Sequence, residues 1–141
     1  MGIRQPRRDG MMGQIDLLEG ASAFTSGDYE RFHEHDAIRR HHTIDSRTGY
    51  PAKGTSSVTV PQQEAAMADA AATALFASCL VPRFCSQQPP CLDLWPCRMC
   101  VTHYWLEAIG AVYLSTAMAK RIRRLDPKPG NSVINRSSHS Q

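Results

Sequence analysis

The sequence predicts a mainly α protein: a small helical hairpin with a Cys/Pro-rich loop, a flexible N-terminal half and a disordered C-terminal tail. Three observations predict it. The run Ala65 to Ala77 is dominated by alanine, the strongest helix former. A second run, from near Cys97 to Leu125, places Val101, Trp105, Ala108, Ile109, Val112, Thr116 and Ala119 three and four positions apart, the period of one helix face. Between the two runs stand prolines at 82, 89, 90 and 96, which no regular element accommodates for long.

Taken in order, residues 1–24 mix Arg, Gly and Met around a brief Ile15-Asp-Leu-Leu-Glu run and support at most one short helix. Thr25 or Ser26 is placed to cap a second helix through His42, with Asp28 three positions after Thr25 as a partial capping box. Its sizeable apolar groups are Tyr29, Phe32 and Ile38, and Ile38 points away from the other two, so that helix has little to bury. From Thr43 to Val60, Gly, Pro, Ser and Thr dominate, which reads as a linker. Pro61 opens the clearest helix and Glu64 lies in its first turn, where a negative charge complements the dipole. Met67, Ala71, Ala74, Leu75 and Ser78 form a stripe of mostly small residues, and Val81-Pro82 ends the helix. The last helix stops before Asp126-Pro127, and the Ser- and Asn-rich residues 128–141 read as disordered. The expected division is therefore 1–60, flexible, basic and His-rich; 61–127, the hairpin with its cysteine cluster; and 128–141, the tail.

A chain of 141 residues makes one domain at most, and although 42% of it is apolar, much of that is alanine, so the core is small. Cores of that size often need a metal or a crosslink. The net charge of +3 is compatible with nucleic-acid contact but selects no partner. No apolar region follows the charged start Met1-Gly-Ile-Arg-Gln-Pro-Arg-Arg, which suggests an intracellular protein whose cysteines stay reduced. The segments Ala65–Val81 and Val101–Ala119 are short, alanine-rich and interrupted, so no membrane span is expected.

Cys79, Cys85, Cys91, Cys97 and Cys100 crowd into 22 positions, with His103 three residues further on. Cys97-Arg-Met-Cys100 is a C-x2-C knuckle, and two thiolates so spaced share one metal readily. Tetrahedral zinc completes its set from Cys91 and His103. On a continuous helix His103 points about 120° away from Cys97, so Cys85 is the alternative fourth ligand. The segment Leu92-Asp-Leu-Trp-Pro-Cys-Arg-Met-Cys also resembles the strand, Trp and C-x2-C of a thioredoxin-type site, which implies thiol–disulfide exchange at Cys97 and Cys100. His33, His35, His41 and His42 do not share a helix face and read as a solvated polar segment.

Lys120, Arg121, Arg123 and Arg124 form a basic run closing a helix, where cations complement the dipole or contact phosphates. Arg4, Arg7 and Arg8 add a basic N-terminal arm. The chain lacks G-x-S-x-G, Walker-type and G-x-G-x-x-G motifs. The function these readings favour is a small zinc-binding accessory protein without enzymatic activity, contacting nucleic acid or a protein partner, with no membrane and no small-molecule substrate. A thiol–disulfide redox protein and a weakly structured chain of no definable activity are the alternatives.

Overall fold

The computed structural model describes residues 1–78 and, beyond them, the strands His103–Leu106, Ala111–Leu114, Ile122–Leu125 and Val133–Asn135. The described residues form strands and one helix. In chain order they are β1 (Gly2–Arg4), β2 (Met11–Ile15), β3 (Ser22–Gly27), β4 (Phe32–His35), β5 (Ile38–His41), β6 (Ile44–Asp45), β7 (Tyr50–Pro51), β8 (Ser57–Gln62), α1 (Ala65–Ala77), and then β9, β10, β11 and β12, the strands after 102. A five-stranded sheet runs in the order β12-β10-β9-β8-β3, antiparallel except for the parallel β10–β12 pair. A three-stranded antiparallel sheet has the order β1-β2-β11, and β4–β5 and β6–β7 are separate hairpins.

The centre of the fold is β8. Val58, Thr59 and Val60 are β-branched residues suited to a pleated surface, and Ser57 to Pro61 are all buried. β8 is flanked laterally by β3 and β9, and α1 packs on the face of β3 and β8 that carries Val58 and Val60. Within α1, Ala68, Ala71, Ala72, Leu75 and Phe76 are buried, the i, i+3, i+4, i+7, i+8 spacing of a helix face turned inward. Val58, Val60, Ala71, Ala72, Leu75 and Phe76 form one apolar cluster with Ala52. Alanine methyls let the helix approach the sheet closely, and Phe76, fully buried, fills the remaining volume.

The β4–β5 hairpin is polar and mostly exposed, and it is tied to this cluster at its last residue. His41 is buried, its ring lying edge-on to Phe76 with centroids 5.2 Å apart. Its Nε2 donates to the Ala52 carbonyl at 2.8 Å, and its Nδ1 accepts from the Thr43 amide at 3.3 Å. The turn Asp36-Ala37 has positive φ at both residues, 53° and 58°, the twist that a two-residue hairpin requires.

Several expectations are therefore corrected. The protein is not mainly α. The segment read as a helix from Tyr29 to His42 holds the hairpin of β4 and β5, because cross-strand contacts compensate for what a helix there could not bury. Arg39 stacks 4.1 Å over the Phe32 ring and reaches the Glu34 carboxylate at 3.1 Å, both partners lying across the ladder. Thr25 and Ser26 cap nothing. They belong to β3, where Thr25 Oγ1 and Thr59 Oγ1 share a hydrogen bond of 2.8 Å across the sheet. The stretch read as a linker holds β6, β7 and the start of β8. The range read as a long last helix holds β9, β10 and β11, in which Ala111 to Tyr113 pair with Leu106 to Tyr104. A helix does run to Ala77, but it starts at Ala65 because Pro61 and Gln62 still belong to β8.

Phe76→Ala is expected to cost about 3–5 kcal/mol, read as a lowered urea midpoint at unchanged m value. A loss below about 1 kcal/mol would show that the cluster does not carry the fold.

Candidate functional site

Strand β3 ends in the small polar run Thr25-Ser26-Gly27, alongside the outward face of α1. On that face stand Asp69 and Thr73, both exposed and four positions apart, which places them one above the other on the helix. Ser26 Oγ lies 3.3 Å from Thr73 Oγ1, so strand and helix meet through two hydroxyls. The alanines packed beneath permit that approach. The row Asp69, Thr73, Ser26 offers oxygen donors only. A carboxylate and two hydroxyls are hard ligands, suited to Mg²⁺ or Ca²⁺ rather than to a soft metal, and the hydroxyls can also donate to phosphate oxygens.

The strand end is held from behind. Asp28, immediately after β3, is buried, and its carboxylate takes a two-pronged contact from Arg7, Nη1 to Oδ1 at 2.6 Å and Nη2 to Oδ2 at 2.5 Å. Arg7 Nη2 also donates to Ser56 Oγ at 2.8 Å, and the Asp28 amide donates to the Ser56 carbonyl at 3.2 Å. Arg4 pairs with Glu30 and stacks 5.4 Å over the Tyr29 ring.

A second polar construction is the β6–β7 turn. The Thr48 and Gly49 amides donate to the Asp45 carbonyl at 3.1 and 2.8 Å, and Gly49 supplies the positive φ of 72° that the turn needs. Asp45 Oδ1 accepts from the Arg47 amide and Nε, both at 2.9 Å, and Oδ2 accepts from Nη2 at 2.7 Å. Arg47 Nη2 also reaches the Ser78 carbonyl at 3.2 Å, tying the turn to the end of α1. The side-chain hydrogen bond from Arg47, then that from its backbone, hold the Asp45 carboxyl down at about 2.

Most of the residues singled out from the sequence lie outside the described part of the chain. Cys85, Cys91, Cys97 and Cys100 lie outside the described residues, as do Lys120 and Arg121. His103 opens β9 opposite Thr59, and Arg123 and Arg124 lie in β11, with Arg124 opposite Gln14. The described residues hold no group of three or more His, Cys, Asp or Glu able to share a metal ion. His41 is locked in the core, while His33 and His35 sit exposed on a strand. The described helix is not long and apolar enough to cross a membrane. Sequence reasoning missed Ser26, Asp69 and Thr73. The signal for the last two was a charge and a hydroxyl one turn apart in an otherwise apolar helix.

Comparison with known proteins adds a direct finding. The ApbE family pattern matches residues 1–87. An FAD:protein FMN transferase of Rhodobacter capsulatus is 44% identical over 75 residues, covering 53% of this chain and 14% of that protein. Proteins of the same name from Treponema pallidum and Klebsiella pneumoniae are 42% and 38% identical, each over 54% of this chain and 22% and 25% of their own. The chain thus spans a quarter or less of these curated relatives. The crystal structure of the ApbE protein from Thermotoga maritima superposes with a TM-score of 0.72 at 34% identity, over 88% of this chain and 38% of that one.

These findings overturn the functional expectations. A zinc-binding accessory protein is not what the family contains, and zinc has no support among the described residues. The nucleic-acid expectation is overturned by the family match, and Arg4 and Arg7, expected on a flexible basic arm, pair with Glu30 and Asp28 within the fold. The expectation of no small-molecule substrate conflicts with relatives named for transferring FMN from FAD.

The depressed Asp45 carboxyl sets an acid dependence. An unfolded Asp titrates near about 3.9, so the stability from the Asp45–Arg47 pair is fully present above that value and is lost as the pH falls towards about 2. Asp45→Asn should therefore show a shallower fall in urea midpoint than wild type between about pH 4 and 2. Parallel curves would remove Asp45 as the titrating group.

Proposed function

This chain belongs to the ApbE family, and from that membership we propose that it carries part of the flavin-handling surface of an FAD:protein FMN transferase. The observation that carries the reading is positional: the family match over residues 1–87 contains the whole Ser26, Asp69 and Thr73 row. Two relatives, 44% and 42% identical over 75 and 78 residues, bear the name of that reaction.

The chemistry asks for what the row offers. Moving FMN from FAD to a protein breaks a P–O bond of the pyrophosphate, releases AMP, and forms a new bond from the FMN phosphorus to a nucleophile on the acceptor protein. Negative charge gathers on phosphate oxygens during the transfer, and stabilising it is most of the catalytic task. Thr73 and Ser26 present hydroxyl donors at the surface, and Asp69 presents a carboxylate one helical turn away. A hard divalent cation held by Asp69 and Thr73 would supply positive charge to the pyrophosphate. Asp69 would then bind by holding the cation, Thr73 by ligating or donating, and Ser26 by fixing the Thr73 hydroxyl. The core beneath α1 keeps all three in place.

Titrating the protein with FAD in the presence of Mg²⁺, with flavin fluorescence as the readout, tests the reading. Wild type is expected to bind, and Asp69→Asn and Thr73→Val are each expected to weaken binding about tenfold or more, the scale of a lost charge-assisted contact. Absence of binding by wild type, or variants that bind as tightly as wild type, would refute it.

A further inference from the structure

Arg7 was read from the sequence as part of a basic arm, and the transfer chemistry above makes no use of it. Its place in the fold is specific. It lies on the loop between β1 and β2, which belong to the three-stranded sheet, yet its hydrogen bonds to Asp28 and Ser56 reach one end of the β3–β8 ladder of the other sheet. Gly27 pairs with Ser57 as the last rung of that ladder, and Arg7 grips the next residue on each strand, Asp28 and Ser56. The loop itself is closed by the Gln5 amide donating to the Gly10 carbonyl at 3.0 Å.

The grip is a planar fork on a carboxylate. The Asp28 side chain is only 6% exposed, so a single partner with two parallel N–H groups fixes both its position and its rotation. Two residues before Asp28 stands Ser26, whose hydroxyl meets Thr73. A strand end beyond its last rung frays unless something holds it. We propose that Arg7 is a positioning residue: by clamping Asp28 and Ser56 it holds the Ser26-Gly27 end of β3 in register against α1, and so sets the hydroxyl pair that faces the flavin pyrophosphate. This rests on the flavin-handling reading for its ligand, but not for its mechanical part.

Hydrogen exchange and FAD titration on the same variants test the two parts separately. In Arg7→Gln the amide of Asp28, which donates to the Ser56 carbonyl, should exchange about tenfold faster or more, while those of Val60, Ala72 and Leu75 keep their protection, since local opening is independent of the core. FAD binding should weaken about fivefold or more, and Arg7→Lys, which keeps the charge but not the fork, should fall between. Should Arg7→Gln not fold, Arg7→Lys against wild type reads the same amides. Unchanged exchange at Asp28 overturns the proposal, and so does equal loss of protection in the core, which would make Arg7 a general stabiliser. If wild type binds no FAD, the functional reading falls and the exchange result still decides the clamp. If wild type binds FAD and the loosened variant binds it equally, the clamp does not serve the site.

Discussion

The close seating of α1 on β8 is the constraint on which the other features depend. Two valines on the strand meet a helix face whose side chains are mostly methyl groups, and one phenylalanine closes the space. Dispersion contacts are individually small, and they add up only where surfaces come this near. The same nearness brings a strand hydroxyl within hydrogen-bond reach of a helix hydroxyl on the outer side. The apolar packing and the polar row are thus two sides of one helix–sheet distance. Changing the volume of Ala71 or Ala72 would shift both.

How much of this could be read from the chain differs by element. The alanine-rich helix was legible because composition alone favours it over the residues Ala65 to Ala77. Its buried face was only half legible. Ala71 and Leu75 were placed on it, but Phe76 was not, and neither were Ala68 and Ala72. In a run of alanines the hydrophobic period is nearly flat, so the sheet chooses which face turns inward. The hairpin from Phe32 to His41 was illegible for a different reason. Both strands are exposed and polar, so the alternation that marks a half-buried strand is absent. Its turn residues, Asp36 and Ala37, lack the glycine that usually signals positive φ. Its stability comes from Arg39 lying over Phe32 and from His41 anchored in the core, relationships that exist only once the chain has folded.

The site was hidden more deeply. Cysteines dominated the reading because their spacing is visible in one dimension, whereas Ser26 and Thr73 are 47 positions apart and join only through the β3–β8–α1 packing. The arginines near the N-terminus misled in a similar way. Arg4 and Arg7 look like solvated charge in the sequence, and their carboxylate partners 26 and 21 positions later are ordinary acidic residues there. Long-range ion pairs leave no periodic trace. Val58 and Val60 fall at the end of the supposed linker, though both are fully buried in the apolar cluster beneath α1.

Gly27 shows how far a single position can reach in such a compact arrangement. A methyl group added there would lie 2.4 Å from the Tyr29 ring, so glycine is required by crowding and not by backbone angle. Displacing that ring would unseat the platform beneath the Arg4 guanidinium, which in turn holds Glu30. One added carbon atom in β3 would thus disturb the edge of the opposite sheet, and sequence drift at this position is closed off by neighbours that never touch the site.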